Sequence, residues 1–280
     1  MVRFFLEMSM YIESKANERI KNVVKLRDKQ ARQDNRLFFF EGVSLLEEYL
    51  RHGHIPYALF VSEDANERYF ALIDSVGRDK VFVLREDVFK KISTEKAPQG
   101  IITVSAFLDN VIFLKDKDDY ELLSVQAEGG LLFLDSLQDA GNVGAIIRTA
   151  VALGSAECVL GRDCADIYNN KTVRATMGAV FSGRIYIADN LSQAINTVRS
   201  SGRRIFAATL GSRTLTLGEF EIKNGDCFVV GNEGNGINTE IIGLCDNAVK
   251  IPITNGAESL NASTAAAILL WELKNARVVL

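Results

Sequence analysis

The chain has 280 residues, 48% of them hydrophobic, and a formal net charge of −4 at pH 7. This length predicts a sizeable core and two domains, and the slightly acidic balance argues against a protein that binds nucleic acid over its whole surface, although a local basic face stays open. No apolar run reaches the roughly 18 residues of a membrane span, and the first ten residues lack the basic region and cleavage site of a signal peptide, so no membrane partner is expected.

The cysteines and histidines show no pattern typical of a metal site. They are Cys158, Cys164, Cys227, Cys245, His52 and His54. No two cysteines form a C-x-x-C pair, and the histidines lie far from them in sequence. A zinc site and a disulfide framework are therefore not expected, and free cysteines favour the reducing cytoplasm.

Residues 15–36 are basic, with eight lysines and arginines against three acidic residues. Ile20, Val23, Arg27 and Ala31 follow helical spacing, which predicts a helix with one packed face and one charged face. Two interpretations stay open for the charged face. It is either an ordinary solvated surface or a surface that contacts nucleic-acid phosphates.

Short apolar runs then alternate with helical patterns. Strands are predicted at residues 37–40, 57–61, 81–84 and 101–107, and helices at residues 43–50, 67–75 and 87–92. This alternation predicts a compact α/β domain over residues 1–108. Because no nucleophile and base occur together in it, a binding domain is expected. The acidic residues 109–129 shift the composition and are interpreted as a linker.

The second predicted domain, residues 130–280, opens with a strand at residues 131–135, a polar turn that ends at Asn142, and a helix that ends at Gly154. Arg148 falls within the first two turns of this helix. It is interpreted either as a surface ion-pair partner or as a contact for an anion or oxyanion, which its planar guanidinium suits.

Further strands are predicted at residues 157–160, 184–188, 204–210 and 227–230, and helices at residues 171–181 and 192–200. This alternation predicts a mostly parallel sheet covered on both faces.

A glycine-rich loop follows at Gly231 and includes Glu233, and glycines there let the backbone approach a ligand closely. Its spacing, G-x-x-G-x-G, differs from the dinucleotide fingerprint G-x-G-x-x-G, which argues against a nicotinamide-dependent dehydrogenase.

The last polar turn lies between a predicted strand at residues 249–253 and a long apolar helix. Asn255-Gly256 favours a turn, and Ser259 and Asn261 offer capping side chains at the helix start. In an open α/β sheet the edge where strands give way to helices is where ligands bind. On this stretch alone, a strand, turn and helix with ordinary caps is the favoured interpretation.

Three segments, in their order and spacing, closely resemble the motifs of the SpoU-type RNA 2′-O-ribose methyltransferases of the SPOUT superfamily. They read D-x-x-x-D-x-x-N-x-G-A-I-I-R-T from Asp135, V-V-G-N-E-G-N-G-I from Val229 and I-P-x-x-x-x-x-E-S-L-N-x-S from Ile251. The resemblance extends from residue 131 to the C-terminus. More loosely, the N-terminal half resembles the small RNA-binding domain that precedes the catalytic domain in many members, with Glu41-Gly42 after a phenylalanine strand.

The resemblance implies an α/β fold in which the mostly parallel C-terminal sheet contains a deep trefoil knot of the SPOUT type. It also implies a homodimer with the active site near the interface, and no metal. S-adenosylmethionine would be bound by Gly231, Ile251 and Leu260, largely through backbone groups. Arg148 matches the arginine proposed as catalytic in the family. The remaining polar motif positions are matched by Asn142, Glu233, Ser259 and Asn261.

The implied substrate is RNA. Members with an extra N-terminal domain of this kind often act on ribosomal RNA, with transfer RNA as the alternative. A catalytically silent RNA-binding or ribosome-assembly protein on the same fold would be expected to have lost polar motif residues, and these are all present here. Ala140 stands where the family commonly has proline, and Ala262 where valine is frequent, but neither departure removes a reactive group.

Overall fold

A computed structural model describes residues 10–126, 129–210, 214–254 and 259–276. The chain divides into two compact units. The first runs to Leu108 and also contains Tyr168–Phe181, and the second contains Asp109–Ile167 and the chain from Ser182 onward. No helix in the described part of the chain is both long and apolar enough to cross a membrane.

Up to residue 108 the chain forms five strands and six helices among the described residues. In order they are β1 (Met10–Ile12), α1 (Glu18–Lys25), α2 (Lys29–Asn35), β2 (Leu37–Glu41), α3 (Val43–Arg51), β3 (Ala58–Ser62), α4 (Glu63–Arg68), α5 (Phe70–Ser75), β4 (Val81–Leu84), α6 (Glu86–Ile92) and β5 (Ile101–Ala106). The strands form one mixed sheet in the order β1-β4-β3-β5-β2, in which β5 runs antiparallel to both of its neighbours.

Helices cover both faces of this sheet. On one face α1 and α6 bury Ile20, Val23 and Phe89 against Phe60 and Phe82 of the central strands. The opposite face is covered by α3, α4 and α5. The predicted α/β domain therefore has apolar side chains on both faces of its strands, which is why those strands appear as continuous apolar runs in the sequence.

The basic segment forms two helices where one was predicted. Asp28 follows α1 by three residues and caps α2, because its side chain accepts a hydrogen bond from the Ala31 N–H at 3.0 Å. Arg32 is buried and donates to the carbonyls of Leu26 and Arg27 at 2.8 and 2.9 Å. Arg32 therefore stabilises the bend between the two helices and does not belong to the exposed charged face of the basic segment.

From residue 109 the described chain continues with eight strands and six helices. They are β6 (Val111–Leu114), α7 (Lys117–Gln126), β7 (Gly130–Leu134), α8 (Ala140–Leu153), β8 (Ala156–Gly161), α9 (Asn170–Ala175), β9 (Ile185–Ala188), α10 (Leu191–Ser200), β10 (Ile205–Ala208), β11 (Leu215–Thr216), β12 (Cys227–Val230), α11 (Thr239–Leu244), β13 (Asn247–Lys250) and α12 (Ala262–Ala276). Of these, α9 belongs to the first unit.

The second unit is built on an eight-stranded sheet in the order β11-β13-β10-β12-β7-β8-β9-β6. All strand pairings among its described residues are parallel. One face is packed by α7, α10 and α11, while α8 and α12 pack against each other and against strands β7, β8 and β12. The predicted α/β class with a mostly parallel C-terminal sheet is confirmed.

Residues 109–129 differ from the linker interpretation. Val111–Leu114 is a strand that pairs with β9, and the helix after it buries Tyr120 and Leu123 in the core of the second unit. Asp116, Asp118 and Glu121 are exposed around these apolar side chains, so the acidic composition concealed a strand and a helix.

Two predicted elements are shorter in the structure. The predicted helix at residues 171–181 ends at Ala175 and is followed by a 3₁₀ turn, because Met177 and Gly178 have φ values of 50° and 92°. A Cβ on Gly178 would lie 2.8 Å from Glu48 Cβ, so glycine is required there. Strand β13 ends at Lys250, and the turn predicted at Asn255-Gly256 lies outside the described residues.

Candidate active site

Two motif-bearing loops leave the same edge of the parallel sheet. Strands β7 and β12 are neighbours, with Leu134 opposite Val230, and the Asp135 N–H donates to the Val230 carbonyl at 2.9 Å. Parallel strands bring their carboxyl ends to one edge, where ligands of open α/β sheets bind. The loops after β7 and β12 therefore begin side by side.

Helix α8 begins with a defined cap. The Asp139 carboxylate accepts a hydrogen bond from the Asn142 N–H at 2.8 Å. Ala140 is the first residue of the helix, the position at which proline is favoured because its missing N–H has no helical partner. Alanine is also a good helix former, so the departure from the family pattern at Ala140 leaves the helix start intact.

The glycine-rich loop after β12 folds back on itself. Asn232 and Gly236 exchange backbone hydrogen bonds of 3.0 and 2.9 Å, and the Asn232 side chain accepts the Gly234 N–H at 2.8 Å. A Cβ on Gly231 would lie 2.3 Å from the Gly236 carbonyl, a distance that no side chain tolerates. Glycine at position 231 is therefore required by the close approach of the loop to its own backbone.

The third motif contributes the start of α12. The Asn261 side-chain oxygen accepts the backbone N–H groups of Ser263 and Thr264 at 2.9 and 3.4 Å and the Ser263 hydroxyl at 2.6 Å. Asn261 is thus the predicted capping residue, and it satisfies N–H groups that would otherwise have no partner.

Asn142 joins the three motifs. Its side-chain amide donates a short hydrogen bond to the Glu233 carboxylate, and its side-chain oxygen accepts the Asn261 amide at 3.1 Å. Residues 91 and 119 positions away in sequence are linked through this one side chain. The Glu233–Asn142–Asn261 chain therefore fixes the three loops relative to one another.

The direction of this chain follows from donor and acceptor chemistry. Because the Asn261 oxygen is used by the helix cap, its NH₂ group must face Asn142. Asn142 must then accept with its oxygen and donate with its NH₂ group, and an ionised carboxylate such as Glu233 can only accept. The network therefore uses a donor at Asn261, both an acceptor and a donor at Asn142, and an acceptor at Glu233.

Ile251 and Leu260, two of the predicted cofactor-binding residues, line one cavity of about 120 Å³. It lies beyond the carboxyl ends of β10 and β13, and its other lining residues are Ala208, Thr209, Leu210, Val249, Lys250, Ile253, Ser259 and Ala265. Ser259 therefore lies beside the predicted cofactor residues. Gly231, the third of them, is not among the residues that line the cavity. Its loop is instead joined to Asn142 by the hydrogen bond from the Asn142 amide to Glu233.

Arg148 stands apart from the other polar motif residues. It is exposed on α8, and its side chain forms no hydrogen bond or ion pair with any residue that the structure describes. Along an ideal helix it lies about 9 Å and about 120° from Asn142. The structure therefore joins Asn142, Glu233 and Asn261, places Ser259 beside the cavity, and leaves the Arg148 guanidinium open to solvent.

Asp135 and Asn232 stand within the recognised motifs, but no role was predicted for either of them. The buried Asp135 carboxylate accepts the Asn238 N–H at 2.7 Å and the Ser136 hydroxyl at 3.0 Å, so it supports the end of the glycine-rich loop. Asn232 donates to the Ser136 carbonyl at 2.9 Å. A polar residue directly after a buried strand was the available signal for Asp135.

Within the described residues, no group of three or more histidine, cysteine, aspartate or glutamate side chains could hold a metal ion. The arrangement offers an apolar cavity at a sheet edge, an amide and carboxylate network, and an exposed guanidinium.

Two family models match the chain. The model described as the SpoU rRNA Methylase family matches residues 130–271, just over half of the 280 residues. The model described as the MRM3-like substrate binding domain matches residues 17–103.

Individual relatives extend this similarity. The chain is 29% identical over 265 residues to the 23S rRNA (guanosine(2553)-2′-O)-methyltransferase RlmP of Bacillus subtilis (strain 168), covering 94% of this chain and 98% of that protein. It is 31% identical over 166 residues to the 23S rRNA (uridine(2479)-2′-O)-methyltransferase of Streptomyces viridochromogenes, covering 58% of each.

Among solved structures, the AdoMet-bound rRNA methyltransferase from Sinorhizobium meliloti matches with a TM-score of 0.80 and 27% identity, over 98% of this chain and 99% of that chain. This similarity agrees with the α/β architecture. The trefoil knot stays a prediction.

Proposed function

This chain belongs to the SpoU rRNA methylase family, and we propose that it transfers a methyl group from S-adenosylmethionine to a ribose 2′-hydroxyl of ribosomal RNA. The observation that carries the proposal is the Glu233–Asn142–Asn261 chain, which joins all three motif loops. Two relatives named for 23S rRNA support ribosomal over transfer RNA. Because one is named for a guanosine and the other for a uridine, they do not identify the nucleotide modified here.

The cavity beside Ile251 and Leu260 suits the cofactor. It combines apolar side chains with backbone groups at the ends of parallel strands, and Leu210, which is 59% exposed, leaves apolar surface open beside it. Such surface matches a flat adenine ring, while backbone groups can pair with its polar edge. When bound, S-adenosylmethionine supplies a methyl group whose bond to a positively charged sulfur breaks as the bond to the ribose 2′-oxygen forms.

Arg148 is proposed to act on the RNA. A weakly acidic hydroxyl must lose its proton as it attacks, so negative charge develops on its oxygen. A guanidinium stays protonated in proteins and cannot accept that proton, but it can stabilise the developing charge or bind the adjacent phosphate. Its exposure and the absence of a partner among the described residues leave its donors available for this role.

Asn142, Glu233, Ser259 and Asn261 are proposed to orient the loops and the nucleotide. Methyl transfer is an in-line displacement, and its rate depends on holding donor and acceptor atoms aligned. The hydrogen bonds of Asn142 restrict the two loops beside it, which supports this positioning role.

We also propose a cytoplasmic homodimer in which each active site is completed by the partner subunit. The separation of Arg148 from the Asn142 chain along α8 supports a shared site. The free cysteines, three of them buried, support a reducing compartment.

Isothermal calorimetry and transfer of a radiolabelled methyl group test the function together. Saturable binding of S-adenosylmethionine that persists with a chelator, and label recovered in the ribose of unmodified ribosomal RNA, are expected. Binding lost with the chelator, or label recovered only in bases, would contradict the proposal.

A further inference from the structure

A cleft in the first unit has no role so far. It lies between α1 and the sheet and encloses about 290 Å³. Its apolar lining residues are Val23, Leu26, Leu37, Ala58, Phe60 and Val104, and its polar ones are Arg19, Asn22, Lys25, Asn35 and Tyr57. The volume is near the lower limit of the roughly 300–1,000 Å³ typical of small-molecule sites, so the cleft accommodates one small planar group.

The charge of the cleft favours an anionic ligand. Arg19 and Lys25 line it, and no carboxylate does. The Arg19 guanidinium is held over the Phe82 ring, 4.6 Å from its centroid, and Lys25 forms no ion pair with a described residue. Two cations beside an apolar floor can bind the phosphate of a ligand whose ring lies on that floor.

Tyr57 adds an aromatic surface. Its side chain is 66% exposed, although its backbone is anchored to the sheet by a 2.9 Å hydrogen bond from its N–H to the Val104 carbonyl. An exposed aromatic ring on a backbone fixed in this way is a stacking platform for a base. Asn22 and Asn35 provide carboxamide groups of the kind that pair with base edges.

We propose that this cleft binds one unpaired nucleotide of the RNA substrate. The base stacks on Tyr57 above the apolar floor, and Arg19 and Lys25 bind the adjoining phosphates. The proposal rests on the proposed function, because it specifies how the first unit holds the same RNA. It also divides the basic segment, since Arg19 and Lys25 face RNA while Arg32 supports the fold.

The test uses the full-length protein and unmodified ribosomal RNA transcribed in vitro. Tyr57→Ala is expected to weaken RNA binding on the order of tenfold, as loss of one stacked base does, and Tyr57→Phe to retain it. Ile55→Ala is the matched control, because Ile55 is 68% exposed nearby but does not line the cleft.

Lys25→Ala is expected to reduce the salt dependence of binding by about one phosphate contact, whereas Lys29→Ala, outside the cleft, leaves it nearly unchanged. With 4-thiouridine in the RNA, photocrosslinks are expected at Tyr57. Thermal unfolding confirms that each variant is folded.

Unchanged binding by folded Tyr57→Ala, with no crosslink at the cleft, would overturn the proposal, and crosslinks confined to other surfaces of the protein would do the same. Calorimetry with S-adenosylmethionine separates the two ideas. If the unaltered protein binds the cofactor normally but the cleft variants bind RNA as well as it does, only the proposed nucleotide site is refuted. If the unaltered protein does not bind the cofactor, the proposed function is refuted.

Discussion

At the scale of single residues, Asn142 is the side chain on which the arrangement of the three motifs depends. Its amide accepts from Asn261 with its oxygen and donates to the Glu233 carboxylate with its NH₂ group, so it supplies both functions that the network requires. The arrangement can be tested with variants that exchange the donor and the acceptor between Asn142 and Glu233.

Asn142→Asp is expected to lower the methylation rate more than Asn142→Ala, because it places two carboxylates against each other. The loss expected is about tenfold to a hundredfold, the range for a hydrogen bond to a charged group. Adding Glu233→Gln to Asn142→Asp restores a donor opposite the new carboxylate. The single-turnover rate is measured for each variant. Partial rescue in the double variant supports the hydrogen-bonded arrangement of Glu233, Asn142 and Asn261, and equal activity of all variants contradicts it.

Arg148→Ala is expected to leave folding and cofactor affinity nearly unchanged and to lower methylation on the order of a hundredfold or more, the usual effect of removing one donor to a developing oxyanion. Arg148→Lys should recover only part of the rate, because a point charge cannot reproduce the two-pronged guanidinium. Wild-type rates in Arg148→Ala would refute the catalytic role.

The sequence indicated a set of polar motif residues but not how their side chains connect. Asn142 and Asn261 were recognisable as motif residues and helix-capping types. Their mutual hydrogen bond depends on the packing of α8 against α12, which no local pattern encodes. No role was predicted for Asp135, because its partner, the Asn238 N–H, lies 103 residues away.

At the scale of elements, the buried strands were the most predictable feature. Residues 81–84 and 227–230 were predicted with the observed bounds, because fully buried parallel strands are short apolar runs. Helices were less predictable where one polar or glycine residue divides them. Asp28 starts a new helix within the basic segment, and Gly178 with Met177 ends α9 early.

The thiols on the central strands make stability sensitive to alkaline pH. Burial raises the pKa of Cys158 in β8 to about 12 and that of Cys227 in β12 to about 11. In the unfolded chain these thiols ionise near pH 8.5. Their contribution to stability is therefore fully present below about pH 8.5 and is lost as the pH rises toward the folded values.

Urea titrations should show a lower free energy of unfolding at pH 10 than at pH 8. Burial also raises the pKa of Tyr186 to about 12, so the thiol contribution is read by difference. The Cys158→Ala and Cys227→Ala double variant should lose less stability between the two pH values than the unaltered chain. If the double variant and the unaltered chain lose the same stability between pH 8 and pH 10, the buried thiols are not the cause of the pH dependence.

At the scale of the whole molecule, the chain divides into two compact units, and its path between them was not predicted. Tyr168–Phe181 belongs to the first unit although the sequence on both sides belongs to the second. Such an excursion leaves no compositional trace, because α9 has ordinary helical composition. The strand and helix at residues 111–126 were hidden by surrounding acidic residues.

A shared active site predicts complementation between subunits. Arg148→Ala protomers should be inactive, and so should Gly231→Ala protomers, because a Cβ at position 231 would displace the glycine-rich loop. Mixing them should regenerate activity in heterodimers, each of which retains one site with both features intact. No recovery, in a mixture shown by mass spectrometry to exchange subunits, would refute the shared site.

The central claim is that this chain methylates a ribose in ribosomal RNA. The most direct measurement maps 2′-O-methyl groups, as alkali-resistant linkages, across total RNA from cells with and without the protein. The account predicts that one or a few ribosomal positions lose the modification and regain it with the unaltered protein but not with Arg148→Ala. Unchanged ribosomal RNA, or a change confined to transfer RNA, would contradict it.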